Sequence, residues 1–525
     1  MGPAVNQITV EAFTVYEDRR FVQRCGASRM GNWPMNETML RRLNEKRRQI
    51  AVWLLLPILV GGCGGAEDAA NDSPAPSVAS PVRPPEDNNK RPDSAQQKTP
   101  KQPTPSKRVY RPDDQRPQHD DARLAEVGIQ RYESQRLILY TDIDPEVAKP
   151  LPGLMDEAYR AWEEYFGPLP PNRAGSDFQM TGYLMGDKRL FIETGLLPED
   201  LPDFPHGRNR GIEFWMNDQE HDYYRRHLMI HEGTHCFMTA MPGVLAPSSY
   251  MEGMAELFGT HRTNSQGRTT FRIMPTESLE VRGWGRLQII AAECAAGRAQ
   301  SVMDIFNYGH NSFLKTESYA WSWALCKFLD AHPRYRDRFR ELGGYLQGTQ
   351  FSRKFQELYR KDLSELNREW ALFTSGLNYD YDVERAAIEF PATQPLAADR
   401  ETIVEIQANR GWQSSGVEVE AGAVYEITAE GRVTLAQTPR PWEATAEGIT
   451  IRYHDGQPLG RLLAVVVPKD ATAALADGIE PVGAAATLRP SVSGTLFLRV
   501  NDAWGELSDN EGTYRVRVTR RAGDS

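Results

Sequence analysis

The stretch "HEGTHCFM", His231 to Met238, sets two histidines four residues apart with a glutamate directly after the first. On an α-helix, positions i and i+4 share a face, so the two imidazoles can close on one metal ion from adjacent turns. Glu232 then lies beside that ion, where a carboxylate can accept a proton from a water the ion activates. This is the chemistry of metal-assisted hydrolysis. Zinc fits it, because catalytic zinc takes three protein ligands and keeps one position open. The third ligand has to come from further along the chain. "SYMEGMAELFG" offers Glu252 and, one turn later, Glu256. Glu252 can complete the shell, and Glu256 can accept the outer N–H of a liganding histidine and fix its tautomer. The reverse assignment of the two carboxylates stays open.

These residues need two helices to position them. "DQEHDYYRRHLMIHEGTHCFMTAM" has no internal proline and predicts a helix with Asp218 as N-cap. A loop with two prolines follows, then a second helix from about Ser248. Upstream, "RLILYTDI" predicts a strand and "PEVAKPLPGLMDEAYRAWEEYFG" a helix, with "FQMTGYLM" and "GIEFWMN" as further strands. Residues 219–385 are mostly helical in pattern, so residues 124–395 read as an α+β domain. In "ESYAWSWALCKFL", Tyr319, Trp323 and Cys326 share a helical spacing that fits a core face. Residues 398–525 alternate short β-rich runs with Gly, Pro and Asp turns, the pattern of an all-β sandwich.

HExxH followed by an E-G-x-A-E helix resembles the gluzincin metallopeptidases, the clan of thermolysin and aminopeptidase N. That resemblance implies a zincin-like fold and hydrolysis of a peptide or protein substrate. It implies zinc on His231, His235 and Glu252, Glu232 as general base, Glu256 in support and Tyr319 at the oxyanion. The metzincin pattern fails, since Met238 and Met241 stand where it needs Gly and His. The Gly-x-Met-Glu-Asn strand of the clan's aminopeptidases is missing from "GIEFWMN", which supports only a peptide-binding edge strand. His227, one turn before His231, reads as a polar part of the first helix, with a place on the metal face as the alternative, and His261 and His310 read as lone structural or surface positions. His310 alternatively reaches a substrate oxygen. Cys236, Cys294 and Cys326 read as buried thiols, with a Cys236–Cys326 disulfide as the alternative.

"GTLFLRVNDAWGELSDNEGTYRVRV" resembles the end of the bacterial galactophilic calcium-lectin fold, and "NRGWQSSGVEVEAGAVYEITAEG" its opening. The resemblance implies a galactose-binding, lectin-like sandwich. It implies calcium on the side chains of Asp502, Asp509 and Asn510 and on the backbone carbonyl of Glu506. Oxygen-only ligands suit that hard ion. An Asx-rich turn closing a hairpin is the alternative. The family's sugar-contacting loop is replaced here by "YHDGQPLGRLL", so a carbohydrate partner is the weaker part of the expectation.

"MLRRLNEKRRQIAVWLLLPILVGGC" joins a basic segment to a short apolar run and ends at Cys63. The run is too short for a permanent membrane span and suits a signal segment. Small residues before the cysteine resemble the lipobox of bacterial lipoproteins, which implies acylation of Cys63 and a membrane anchor. Residues 1–63 are therefore expected to be an extension plus signal, with Met35 or Met39 as alternative starts. Residues 64–123 are rich in Pro, Asp, Lys, Gln and Ser and read as a disordered tether. The 525 residues carry a net charge of −10 with no basic stripe, which argues against a nucleic-acid partner. Five cysteines exclude a disulfide-stapled scaffold. The expectation is a zinc peptidase of the bacterial cell envelope, outer-membrane anchored or secreted. The alternative is a surface carbohydrate- or matrix-binding lipoprotein with a non-catalytic zincin domain.

Overall fold

The computed structural model describes residues 109–522 except 115, 347–349, 439 and 476. Cys63, the expected signal segment and most of the expected tether lie outside the described residues. Among the described residues, no helix is long and apolar enough to cross a membrane. The architecture is multidomain, with helices and several β-sheets.

A five-stranded sheet comes first, in the order Gln130–Glu133, Leu137–Thr141, Met180–Met185, Glu213–Asn217, Gly207–Arg210. Its three inner strands run parallel and both edges antiparallel. The helix Leu151–Phe166 crosses between two of them and buries Met155, Ala158, Tyr159 and Trp162, a 3.6-residue stripe. The longer helix expected from Pro145 is broken into Pro145–Ala148 and Leu151–Phe166. Pro150 and Pro152 cause the break, because proline lacks an N–H and disfavours helical geometry just before it.

The sheet corrects two expectations. "GIEFWMN" is not an edge: Glu213–Asn217 pairs on both sides, and Gly207–Arg210 holds the edge beyond it. That edge strand reads Gly-Arg-Asn-Arg, polar throughout, so no apolar alternation announces it. The segment from residue 109 to 123, expected to end the tether, is folded against the sheet. Arg111 is buried, with Nη2 donating to the Ser176 carbonyl at 2.8 Å, and His119 Nε2 lies 2.8 Å from the Tyr183 hydroxyl. Charged groups fix this segment through specific hydrogen bonds, a mode that composition does not reveal.

Helices Asp222–Thr239, Ser248–Gly259 and Thr316–Ala331 form the layer that carries the site residues. Gly253 permits their closest approach. A Cβ on it would meet Cys326 Sγ at 2.5 Å and the Ser322 carbonyl oxygen at 2.7 Å. Cys236, Cys294 and Cys326 are free, against the disulfide alternative. Cys236 Sγ instead lies 3.7 Å from the Glu213 carbonyl, on the sheet side of its helix.

Two further sheets face each other across an apolar core. One is built on Leu462–Val467, Gly494–Val500 and Gln413–Val419, the other on Tyr425–Thr434, Glu511–Arg520 and Glu401–Gln407. In the first, the strands Leu462–Val467 and Gly494–Val500 are buried on both faces. Leu462, Ala464 and Val466 point into the sandwich, while Leu463, Val465 and Val467 join the core of the helical layer. Phe497, Trp504 and Leu507 join it as well, so the two domains share a continuous apolar interior.

Candidate metal centre

The first site helix starts at Asp222 with His221 at its N-cap, not at Asp218. The Asp218 carboxylate is taken by the Arg225 guanidinium, which binds both of its oxygens. A two-pronged charged donor outcompetes a backbone cap. From this helix His231 and His235 project from adjacent turns, and Glu252 meets them from the helix Ser248–Gly259. His231 Nε2 and His235 Nε2 lie 3.2 Å apart, and Glu252 Oε2 lies 3.1 Å from His235 Nε2 and 3.3 Å from His231 Nε2. Ligand atoms held about 2.0–2.1 Å from a tetrahedral ion are roughly 3.3–3.4 Å from each other, so this triangle fits zinc.

Glu256 stands behind the triangle. Its Oε1 is 3.4 Å from His231 Nδ1, and its Oε2 is 3.3 Å from His227 Nε2. Both oxygens also accept from Arg286, at 2.9 Å from Nη2 and 3.0 Å from Nε. Arg286 opens the helix Arg286–Ala295 and is buried. His227, expected as a polar point on the helix, is 1% exposed and closes a second cluster with His231 and Glu256.

Burial dominates the electrostatics. It raises the carboxyl of Glu232, partly offset by His231 and His235. It also works to raise Glu252 and Glu256, yet both stay below their ordinary range. The charges and hydrogen bonds of His235 and His231 outweigh it at Glu252, and Arg286 and His227 do so at Glu256. Burial and then the charges of Glu252, Glu256 and Glu232 raise the Tyr319 phenol, so it stays protonated. The Tyr319 ring lies 6.1 Å from the His231 ring, with the Arg286 guanidinium 5.9 Å from its centroid. His261 is buried, donates Nδ1–H to the Gly259 carbonyl at 2.8 Å and stacks on Tyr223 at 4.7 Å, away from the triangle. His310 is exposed in the short turn His310–Leu314.

In the sandwich, Asn510 Nδ2 donates to Asp502 Oδ2 at 2.8 Å and to the Ala408 carbonyl at 3.1 Å. Asp502 is fully buried, which pushes its carboxyl up to about 6 despite the hydrogen bonds from Asn510 and Ala503. Asn510 Oδ1 is buried without a protein partner. Glu506 and Asp509 are exposed and join no cluster of three acidic, histidine or cysteine ligands among the described residues.

Sequence reading missed Arg286, Gly207 and the burial of His227. Arg286 gives no signal, since an arginine opening a helix is ordinary until its partner 30 residues away is known. Gly207 in an unrecognised strand gave none either. His227 offered one, its place one turn before His231 on the same helix face.

No family model matches the chain, and no curated protein matches it. Among solved structures it is similar to the N-terminal domain of EclA, a PllA-like lectin. The two are 22% identical over 23% of this chain and 95% of that one, with a TM-score of 0.18.

Proposed function

We propose that the protein is a zinc-dependent peptidase with a zincin-like catalytic domain, anchored to a bacterial envelope membrane through Cys63. The observation that carries this reading is the triangle of buried His231 Nε2 and His235 Nε2 with the half-buried Glu252 Oε2, with edges of 3.1–3.3 Å. Zinc, when bound, supplies Lewis acidity that polarises the scissile carbonyl and lowers the pKa of a water. Glu232 is the base beside that water. Its raised pKa suits both halves of the task, accepting a proton from the water and returning it to the departing amine. The protonated Tyr319 hydroxyl donates to the oxyanion as charge develops. Glu256 Oε1, 3.4 Å from His231 Nδ1, supplies the negative charge that favours a proton on Nδ1 and leaves Nε2 free as a ligand atom.

The edge strand Gly207–Arg210 borders Glu232 and presents the backbone along which an extended substrate can add as a further strand. Zinc content and hydrolysis of a peptide library by the full chain test the proposal together. One zinc per chain is expected in the wild type and none after His231→Ala or His235→Ala. Unchanged zinc in those variants would defeat the ligand assignment.

A second reading concerns the sandwich, as a lectin-like module that binds calcium. The buried Asp502 carboxylate and the unpartnered Asn510 Oδ1 favour an oxygen-only cation site. Calcium should raise the melting temperature of the full chain, and Asp502→Ala should remove the rise.

A further inference from the structure

His231 belongs to two ligand clusters at once. Through Nε2 it faces His235 and Glu252, and through Nδ1 it faces Glu256, with His227 on that carboxylate's other oxygen. The second cluster is wider than the first, its histidine rings 6.4 Å apart against 4.8 Å, but more deeply buried, with His227 1%, His231 5% and Glu256 2% exposed. Ligand type alone would let either cluster take an ion.

We propose that Arg286 makes the choice, and that His227, His231 and Glu256 form a latent metal site which this arginine keeps closed. The inference rests on the zinc reading above. Arg286 donates Nε and Nη2 to the two Glu256 oxygens at 3.0 and 2.9 Å, so a permanent cation already occupies the carboxylate. A divalent ion on the same oxygens would sit a few Å from the guanidinium, where the low dielectric of a buried site amplifies repulsion. Glu252 has no such cation among its contacts, and its oxygen points only at the two Nε2 atoms. Arg286 therefore holds the centre to a single ion on the Glu252 side. It also holds Glu256 in place beside His231 Nδ1, 3.4 Å away. It is a positioning residue, acting through Glu256.

Cobalt(II) is the probe, titrated into metal-stripped full-length protein and read by visible absorption and by metal content after desalting. The wild type is expected to take one ion and Glu252→Gln none. Combining Glu252→Gln with Arg286→Met should restore one ion at the opened cluster, and adding His227→Ala should remove it again. Arg286→Gln replaces Arg286→Met if circular dichroism shows that the methionine variant is unfolded. One ion in the wild type with none in the folded double variant would overturn the role of Arg286 and leave the zinc reading standing. A full equivalent retained by Glu252→Gln with Arg286 intact would overturn it too, because the second cluster would then be open without any change at 286. No uptake by the wild type would remove the zinc reading and this inference together.

Discussion

Gly207 faces the Glu232 carboxylate so closely that a Cβ on Gly207 would lie 2.5 Å from Glu232 Oε1 and 3.0 Å from Cδ. The edge strand is thus one wall of the site, and the missing side chain is the space the Glu232 carboxylate occupies. Gly207→Ala should push Glu232 off its position while leaving His231, His235 and Glu252 untouched. A displacement near 1 Å typically costs about 10²-fold in rate. Steady-state kinetics should therefore show a fall in kcat at unchanged zinc content, and a wild-type kcat would break the link.

Glu232→Gln separates base from ligand. The amide is nearly isosteric and keeps the packing against Gly207, but it cannot take a proton. Zinc content should hold while peptide hydrolysis drops by about 10²–10⁴. If zinc-loaded wild type cleaves nothing that Glu232→Gln leaves intact, the centre is structural and not catalytic.

Tyr319→Phe removes one hydroxyl and keeps the ring that packs near His231 and Arg286. Turnover should fall by roughly 10²–10³, the scale for one oxyanion donor, with little change in KM. A variant altered only in melting temperature would reassign Tyr319 to the core face its spacing also fits.

Asp502 sets a pH dependence. Its native pKa of about 6 lies above the ordinary carboxylate value, because burial disfavours the charge. Between roughly pH 4 and pH 6 the folded chain therefore binds a proton that the unfolded chain has lost. Stability from this group is greatest at low pH and falls by about 1.4 kcal/mol per unit as pH rises through that window. In chelator, Asp502→Asn should remove this slope and stabilise the protein at pH 7. A slope equal to that of the wild type would place the titration elsewhere.

The domain seam supplies a further test. Trp504 is 2% exposed, stacks on Tyr381 at 4.4 Å and lies over Gly376. Trp504→Ala should cost about 3–5 kcal/mol in denaturant unfolding of the full chain. Residues 394–522 expressed alone would uncover Leu463, Val465, Val467 and Phe497 and should self-associate. A monodisperse monomer of that fragment would show that the shared core is dispensable.

What the sequence determined by itself is local. The four-residue step from His231 to His235 and from Glu252 to Glu256 follows from helical periodicity, which needs only the backbone of adjacent turns. Strand segments in the sandwich were legible for the same reason, since alternation and turn residues act over a few positions. That Leu462–Val467 is buried on both faces was decided by the tertiary structure, which packs the helical layer against its outer side. Which carboxylate meets the histidine pair was not local. Arg286 claims Glu256 from another helix, and Glu252 is left to the two Nε2 atoms. The wall at Gly207, the burial of His227 and the folded segment around Arg111 were equally invisible. Each depends on a partner many residues away in the chain, and the packing of helices and sheet, not any property of the residue itself, brings that partner within reach.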